Sequence, residues 1–399
     1  MTNAEIIALG EQYVMRTYGR YPIALVRGAG ARVWDADGRE YLDFVEGLAV
    51  NSLGHCHPRV VEAIREQAGK LLHVSNLYWI EPQVELAQML VENSDLDKVF
   101  FCNSGAEANE AAIKLARKYA KLHKGEECYE IISMRRSFHG RTLAALAATG
   151  QEKFHRGFEP LPVGFRYVPF NDLEALREAI NSRTCAVMLE PVQGEGGVYP
   201  ADPDYLKAVR ELCDKEGILL IFDEVQCGLG RTGYLFAYQY YGVEPDLMTL
   251  AKALAGGVPI GAMLAKEEVA AAFAPGDHAS TFGGNPLATA AGVAALRTIL
   301  EEGLIDNARE QGEYLIEKLK SLAAEFPQIV EILGRGLLVG VEIEGPAEDI
   351  AKICLERGLL VNAIHGRILR FLPPLTVKRE EIDAALGILK TALRDCLRA

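Results

Sequence analysis

The stretch Ile218-Leu219-Leu220-Ile221-Phe222-Asp223-Glu224 runs five apolar residues into two acids. An apolar run without alternation fits a strand covered on both faces, as in a parallel sheet between helices; a half-solvated strand alternates. The pattern recurs at Val99–Cys102, Ile131–Ser133, Ala186–Leu189 and Leu247–Ala251, with amphipathic helical stretches between. Residues from about 59 to 300 are therefore expected to form an α/β domain, with a mostly parallel central sheet covered by helices.

On the N-terminal side, within residues 1–58, positions 22–50 read as extended segments with turns at Gly28-Ala29-Gly30 and Asp37-Gly38. On the C-terminal side, within residues 301–399, the chain reads as a strand (Leu337–Ile343), a helix (Ala347–Arg357), two short strands (Leu359–Val361, Ile368–Leu372) and a closing helix. Ile382, Leu386, Leu389, Leu393 and Leu397 recur at helical spacing and mark the apolar face of that helix. The two ends are expected to combine into a smaller α+β domain.

A hydrophobic fraction of 49% in 399 residues excludes disorder and is enough for a large core. The formal charge of −13 disfavours a phosphate backbone as partner, so no nucleic-acid role is expected. No apolar run approaches the roughly 18 residues that cross a bilayer, and no basic segment precedes an apolar stretch at the N-terminus. The expectation is a cytoplasmic protein with no membrane partner. Its eight cysteines are scattered without a CxxC pair and read as buried or idle thiols. No metal is expected either: adjacent His55-Cys56-His57 cannot easily face one ion, and no second ligand pair follows.

Carboxylates at the C-terminal end of an interior strand lie where open α/β sheets place ligands, which singles out Asp223 and Glu224. Apolar residues before Asp-Glu also resemble the acidic strand of nucleotide hydrolases, but no GxxxxGK[ST] loop accompanies it. Gly228 to Gly233 (GLGRTG) matches the dinucleotide pattern, yet it neither follows the strand directly nor opens a helix. Lys252 follows the run Leu247–Ala251 and precedes small residues; burial there would depress its pKa and leave an amine able to form a Schiff base. A Lys that packs its stem and reaches water with its head fits the same spacing.

Ser104, Gly105 and Ala106 begin the helix after Cys102, where free amides suit a phosphate ester; Ser104-x-x-Glu107 is equally a capping box. Phe138 and Arg141 offer a flat face and a guanidinium, and a core Phe beside a surface Arg fits as well. Taken together, a Schiff-base Lys, a strand-end Asp, a phosphate-binding helix start and a stacking aromatic are the parts that a pyridoxal phosphate enzyme needs.

Eight stretches in order carry a resemblance: VWDADGREYLDF, GHCHP, NSGAEANEAAIKLARK, FHGRTLAALAATGQ, EPVQGEGG, DEVQCGLGRTG, AKALAGG and STFGGNPLA. The chain resembles the class III, fold-type I aminotransferases over essentially its whole length. The resemblance implies pyridoxal 5'-phosphate held by Lys252, with Asp223 at its ring nitrogen and Gln226 at its phenolic oxygen. It also implies Phe138 stacked on the ring, and Ser104, Gly105 and Ala106 at the phosphate. Thr281 of a neighbouring subunit would complete that cradle, which makes a homodimer. Arg141 and Arg370 would grip substrate carboxylates, with Glu195 neutralising Arg370 when the acylated donor is present. The implied reaction is ping-pong transfer of the terminal amino group of N2-acetyl-L-ornithine to 2-oxoglutarate, in arginine biosynthesis. Gly47 leaves room for the acyl group and Tyr18 would line the entrance; succinylornithine, ornithine, succinyldiaminopimelate and 4-aminobutyrate are the alternative donors.

Overall fold

The computed structural model describes residues 1–397, and the side chains of residues 1–396. Seven strands form the central sheet: β1 (Lys98–Cys102), β2 (Glu130–Met134), β3 (Phe165–Val168), β4 (Thr184–Leu189), β5 (Leu219–Asp223), β6 (Leu247–Leu250) and β7 (Gly261–Ala265). Their order across the sheet is β1-β7-β6-β5-β4-β2-β3. β7 runs antiparallel to β6 and β1, and the other neighbours pair in parallel. Every residue of β2, β4, β5, β6 and β7 is buried, so these strands are covered on both faces.

Two strands have no counterpart in the sequence reading. β3 is an edge strand whose Phe-Arg-Tyr-Val is half-exposed, so it carries no continuous apolar run. β7, Gly-Ala-Met-Leu-Ala, is composed of residues that favour helices or nothing; sheet pairing on both sides overrides that preference.

Helix Gly105–Lys124 lays Ala108, Ala111, Ala112, Ile113, Leu115, Ala116 and Ala120 into the core, and its alanines permit close approach to the sheet. Helix Pro203–Glu216 starts where the Asp202 carboxylate accepts from the Asp204 and Tyr205 amides, and Gly217 in the left-handed conformation ends it. The chain thereby turns directly into β5, which delivers Asp223 at its last position.

The two ends of the chain meet. Strands Leu25–Ala29, Arg32–Asp35 and Glu40–Asp43 form a sheet with Leu359–Leu360, in which Leu359 pairs in parallel with Leu42. A second sheet holds Ile329–Arg335, Leu338–Ile343, Ile368–Phe371 and Asn362–Ile364. The expected strand at 359–361 is shorter, Leu359–Leu360, and a separate strand at Asn362–Ile364 joins the other sheet; Ile329–Arg335 went unread because only Ile329 in it is buried. In the closing helix Arg379–Leu397, Ile382, Leu389 and Leu393 are fully buried and Leu386 packs against them; the Leu397 side chain lies outside the described residues. Among the described residues no helix is long and apolar enough to cross a membrane.

Candidate active site

A cavity of about 440 Å³ opens at the C-terminal ends of the parallel strands, within the ~300–1,000 Å³ of small-molecule sites. Asp223, Lys252, Phe138, Arg141, Glu195 and Gln226 line it, together with the turn Ser104-Gly105-Ala106. Residues that lie far apart along the chain are therefore gathered in one place.

Lys252 begins a single turn of 3₁₀-helix just past β6, in a left-handed backbone conformation (φ 45°). Burial pushes its ammonium below the ordinary lysine range, against the pull of the Glu195 carboxylate in the other direction. A larger share of neutral, nucleophilic amine follows.

Asp223 is held rigidly. Its Oδ2 accepts from Asn109 Nδ2 at 2.7 Å and is 2.8 Å from His139 Nδ1, while its Oδ1 accepts from the Val225 amide at 3.0 Å. Asn109 is fixed in turn, donating to the His139 carbonyl at 2.7 Å and accepting from Thr249 Oγ1 at 2.7 Å. Sequence reasoning missed Asn109, His139 and Thr249 as site residues. A polar Asn on the alanine-rich buried face of its helix was the available signal, since such a group needs partners inside. Glu224 plays a separate part, because its two oxygens accept from the Ala237 and Tyr238 amides at 2.6 and 2.7 Å and start the next short helix. The Asp-Glu pair is thus divided between cavity and scaffold, unlike the acidic strand of a nucleotide hydrolase.

At the start of the Gly105–Lys124 helix, Ser104 Oγ accepts from the Glu107 amide at 3.2 Å and retains its own proton for a ligand. Glu107 does not close a capping box; its carboxylate takes the Asn103 amide at 2.6 Å instead. The Gly105 and Ala106 amides precede the first intrahelical bond and face the cavity end of the helix dipole. A Cβ on Gly105 would come within 2.8 Å of Val225 Cγ1, so the helix start seats against the residue pair after Asp223 only as glycine.

Phe138 packs edge-on against Phe154, with ring centroids 5.8 Å apart, and the exposed Arg141 lies 4.1 Å over the Phe154 ring. On the opposite flank Arg370 is fully buried behind the lining. Its Nη1 donates to Glu195 Oε1 at 2.7 Å, to Gln226 Oε1 at 2.9 Å and to the Gly194 carbonyl at 3.1 Å. Burial alone would raise the Glu195 pKa, but the Arg370 guanidinium and the Lys252 ammonium outweigh it and bring it to about 2. Buried Glu190, also missed, accepts from the Phe138 and Gly194 amides at 3.1 Å each, and burial pushes its pKa upward.

Three residues singled out from sequence stand apart from this cavity. Thr281 is exposed and faces a recess with Asn103 and Phe282. Tyr18 is 73% exposed and stacks with Arg20. Gly47 adopts φ 61° outside the lining, to which Val50 contributes instead.

The profile of the family described as class-III aminotransferase matches residues 13–393. The chain belongs to the class III aminotransferases. An acetylornithine aminotransferase from Caldanaerobacter subterraneus subsp. tengcongensis is 58% identical over 98% of this chain and 99% of its own. An ornithine aminotransferase from Toxoplasma gondii superimposes with a TM-score of 0.96 at 37% identity, covering 100% of this chain and 96% of the other; its structure is described with partial occupancy of pyridoxal phosphate at the active site. An N-acetylornithine aminotransferase from Stenotrophomonas maltophilia gives a TM-score of 0.85 at 42% identity, over 98% and 99%. The cofactor of this aminotransferase is pyridoxal phosphate, and the donor set suits it: an amine of lowered pKa, a fixed carboxylate, unpaired helix amides and an aromatic ring surround one cavity.

Proposed function

We propose that this class III aminotransferase moves the terminal amino group of N2-acetyl-L-ornithine to 2-oxoglutarate, yielding N-acetyl-L-glutamate 5-semialdehyde and L-glutamate. The observation that carries the chemistry is Lys252 and Asp223 on the walls of the same cavity. The named relatives at 58% and 42% identity support the acylated donor. A panel of donors assayed with 2-oxoglutarate tests it: kcat/KM for acetylornithine should exceed that for ornithine and for 4-aminobutyrate by about tenfold or more. A preference for ornithine would overturn the choice of donor and leave the family chemistry intact.

Bound pyridoxal phosphate supplies a protonated ring that draws electrons from the substrate carbon. In this reading the Asp223 carboxylate, held by Asn109 and His139, would pair with the ring nitrogen and keep it protonated. Gly105, Ala106 and Ser104 hold the phosphate at the helix start. Phe138 and Gln226, both on the cavity wall, would hold the ring by stacking and by a hydrogen bond to its phenolic oxygen. Lys252 Nζ would hold the cofactor until the incoming amine displaces it, and the freed amine would then accept and return a proton as general base and acid.

Two substrates share this site. Arg141, at the exposed mouth, would grip the α-carboxylate of the acylated donor and the distal carboxylate of glutamate. Arg370 would take the α-carboxylate of glutamate only after Glu195 leaves it. The 2.7 Å pair supports this switch, because Glu195 cancels Arg370 whenever no second carboxylate is present. In Glu195→Gln the buried guanidinium loses its counter-charge, so the half-reaction with acetylornithine should slow about tenfold while that with glutamate changes less than about threefold. Single-turnover rates of both half-reactions decide this, and equal losses would remove the switch.

A homodimer with Thr281 at the neighbour's phosphate site completes the proposal. Asn76 Nδ2 donates to the Ser280 and Gly283 carbonyls at 3.2 and 2.9 Å, joining the Thr281 loop to a segment with Leu77, Tyr78 and Trp79 exposed by 81%, 68% and 93%. An apolar surface of that kind is what an obligate interface covers. Trp79→Asp should sediment at half the native mass and release its cofactor at least about tenfold more readily; an unchanged mass would place the interface elsewhere.

A further inference from the structure

Away from the cofactor cavity, His55, Asp43 and Glu46 converge. His55 Nε2 lies 2.8 Å from Asp43 Oδ2 and 3.5 Å from Glu46 Oε2, and one ligand atom from each of the three falls within 4.8 Å of the others. Glu46 is fully buried, and among the described residues neither of its carboxylate oxygens has a hydrogen-bond partner. A buried carboxylate oxygen in that condition is rare in folded proteins and calls for a cation or a water to complete it. The neighbouring Arg231 is near enough for its charge to act on Glu46, but its Nη donors go to the Leu337 and Pro373 carbonyls and to Ser52 Oγ, and its Nε has no hydrogen-bond partner either.

The adjacent residues His55, Cys56 and His57, which drew attention in the sequence, diverge. Cys56 is exposed, and His57 Nε2 lies 3.9 Å from Glu302. The carboxylates come from the preceding segment, folded back. The Asp43 Oδ1 atom accepts from the Val45 and Glu46 amides at 2.8 and 3.0 Å, which turns the chain and brings Glu46 beside His55. Gly28 presses on the other side of the imidazole, where a Cβ would come within 2.6 Å of His55 Cβ.

We propose that Asp43, Glu46 and His55 form a site for one divalent cation of the manganese class. Two carboxylates and an imidazole are a hard to borderline donor set, and the partial exposure of His55 leaves an entry path and room for water ligands. The ion would clasp an unusual backbone. Glu46, Gly47, Leu48 and Ala49 all have positive φ (49°, 61°, 66° and 64°), and Val50 at the end of this turn lines the cofactor cavity. Left-handed residues in succession persist only where their surroundings over-determine them, and three ligands on one ion do that.

The test uses the holoenzyme, dialysed against a chelator and titrated with Mn²⁺ while the electron paramagnetic resonance signal of free Mn²⁺ is followed. One ion per subunit should bind, and Tm should rise by about 3 °C at a hundredfold excess over the dissociation constant. Glu46→Gln and His55→Gln should each weaken binding at least about tenfold, with circular dichroism and the cofactor absorption band showing that both variants fold. No stoichiometric binding at millimolar Mn²⁺ would overturn the proposal, as would binding that survives either substitution undiminished.

Discussion

Lys252→Ala will fold, will contain no protein-linked chromophore after borohydride treatment, and will lose activity by ~10⁴-fold or more. The size follows from two roles resting on one atom. In the proposed mechanism the amine in the cavity would tether the cofactor and move the proton, and among the described residues no other amine stands in the lining, where Arg141 presents a guanidinium. Alanine fills no space that Lys252 leaves, so small primary amines added to the solution should restore part of the rate, and the restored rate should follow the fraction of free base. Full activity in Lys252→Ala would dismiss the mechanism; inactivity without rescue, in a protein that still takes up cofactor, would limit Lys252 to tethering.

Asp223→Asn should lower kcat by ~10³-fold, equivalent to about 4 kcal/mol of barrier, with the protein folded and cofactor present. The substitution preserves shape and removes the charge that would hold a proton on the ring. It also disturbs the network, because two donors, Asn109 Nδ2 and His139 Nδ1, converge on Oδ2. An asparagine meets both only with its carbonyl oxygen there, which leaves its NH₂ facing the Val225 amide that now donates to Oδ1. The absorption spectrum separates the two effects: loss of the charge should shift the band of the bound cofactor, and a purely positional effect should leave the band in place and lower only the rate. An unaltered kcat would dismiss the pairing.

The cavity was legible where one residue type does one job in one place. Lys252 and Asp223 stand at strand ends, and a strand end is visible as the end of an apolar run. Ser104, Gly105 and Ala106 stand at a helix start, visible from the cap and the small residues. Thr249 and Glu190 were not legible, and Asn109 showed only as a polar residue on a buried helix face, because their role is to bond with groups that are distant in the chain and a single sequence carries no record of which buried polar groups meet. The same holds for the fold. β4 and β5 announce themselves by burial on both faces, whereas β3 and β7 exist because neighbours offer them hydrogen bonds. Likewise, the spacing of His55 and His57 drew attention to the wrong partners, since the carboxylates near His55 are set by a turn twelve residues upstream.

The parallel pairing of Leu359 with Leu42 has a consequence for synthesis. More than three hundred residues separate these strands, so a ribosome adding about 5–20 residues each second finishes the second strand roughly 15–60 s after the first. Throughout that interval the Glu40–Asp43 strand has an open edge in the nascent chain, and edges of that kind template aggregation. Newly made protein should therefore depend on chaperones far more than refolded, full-length protein does, and truncation before residue 359 should send it into inclusion bodies.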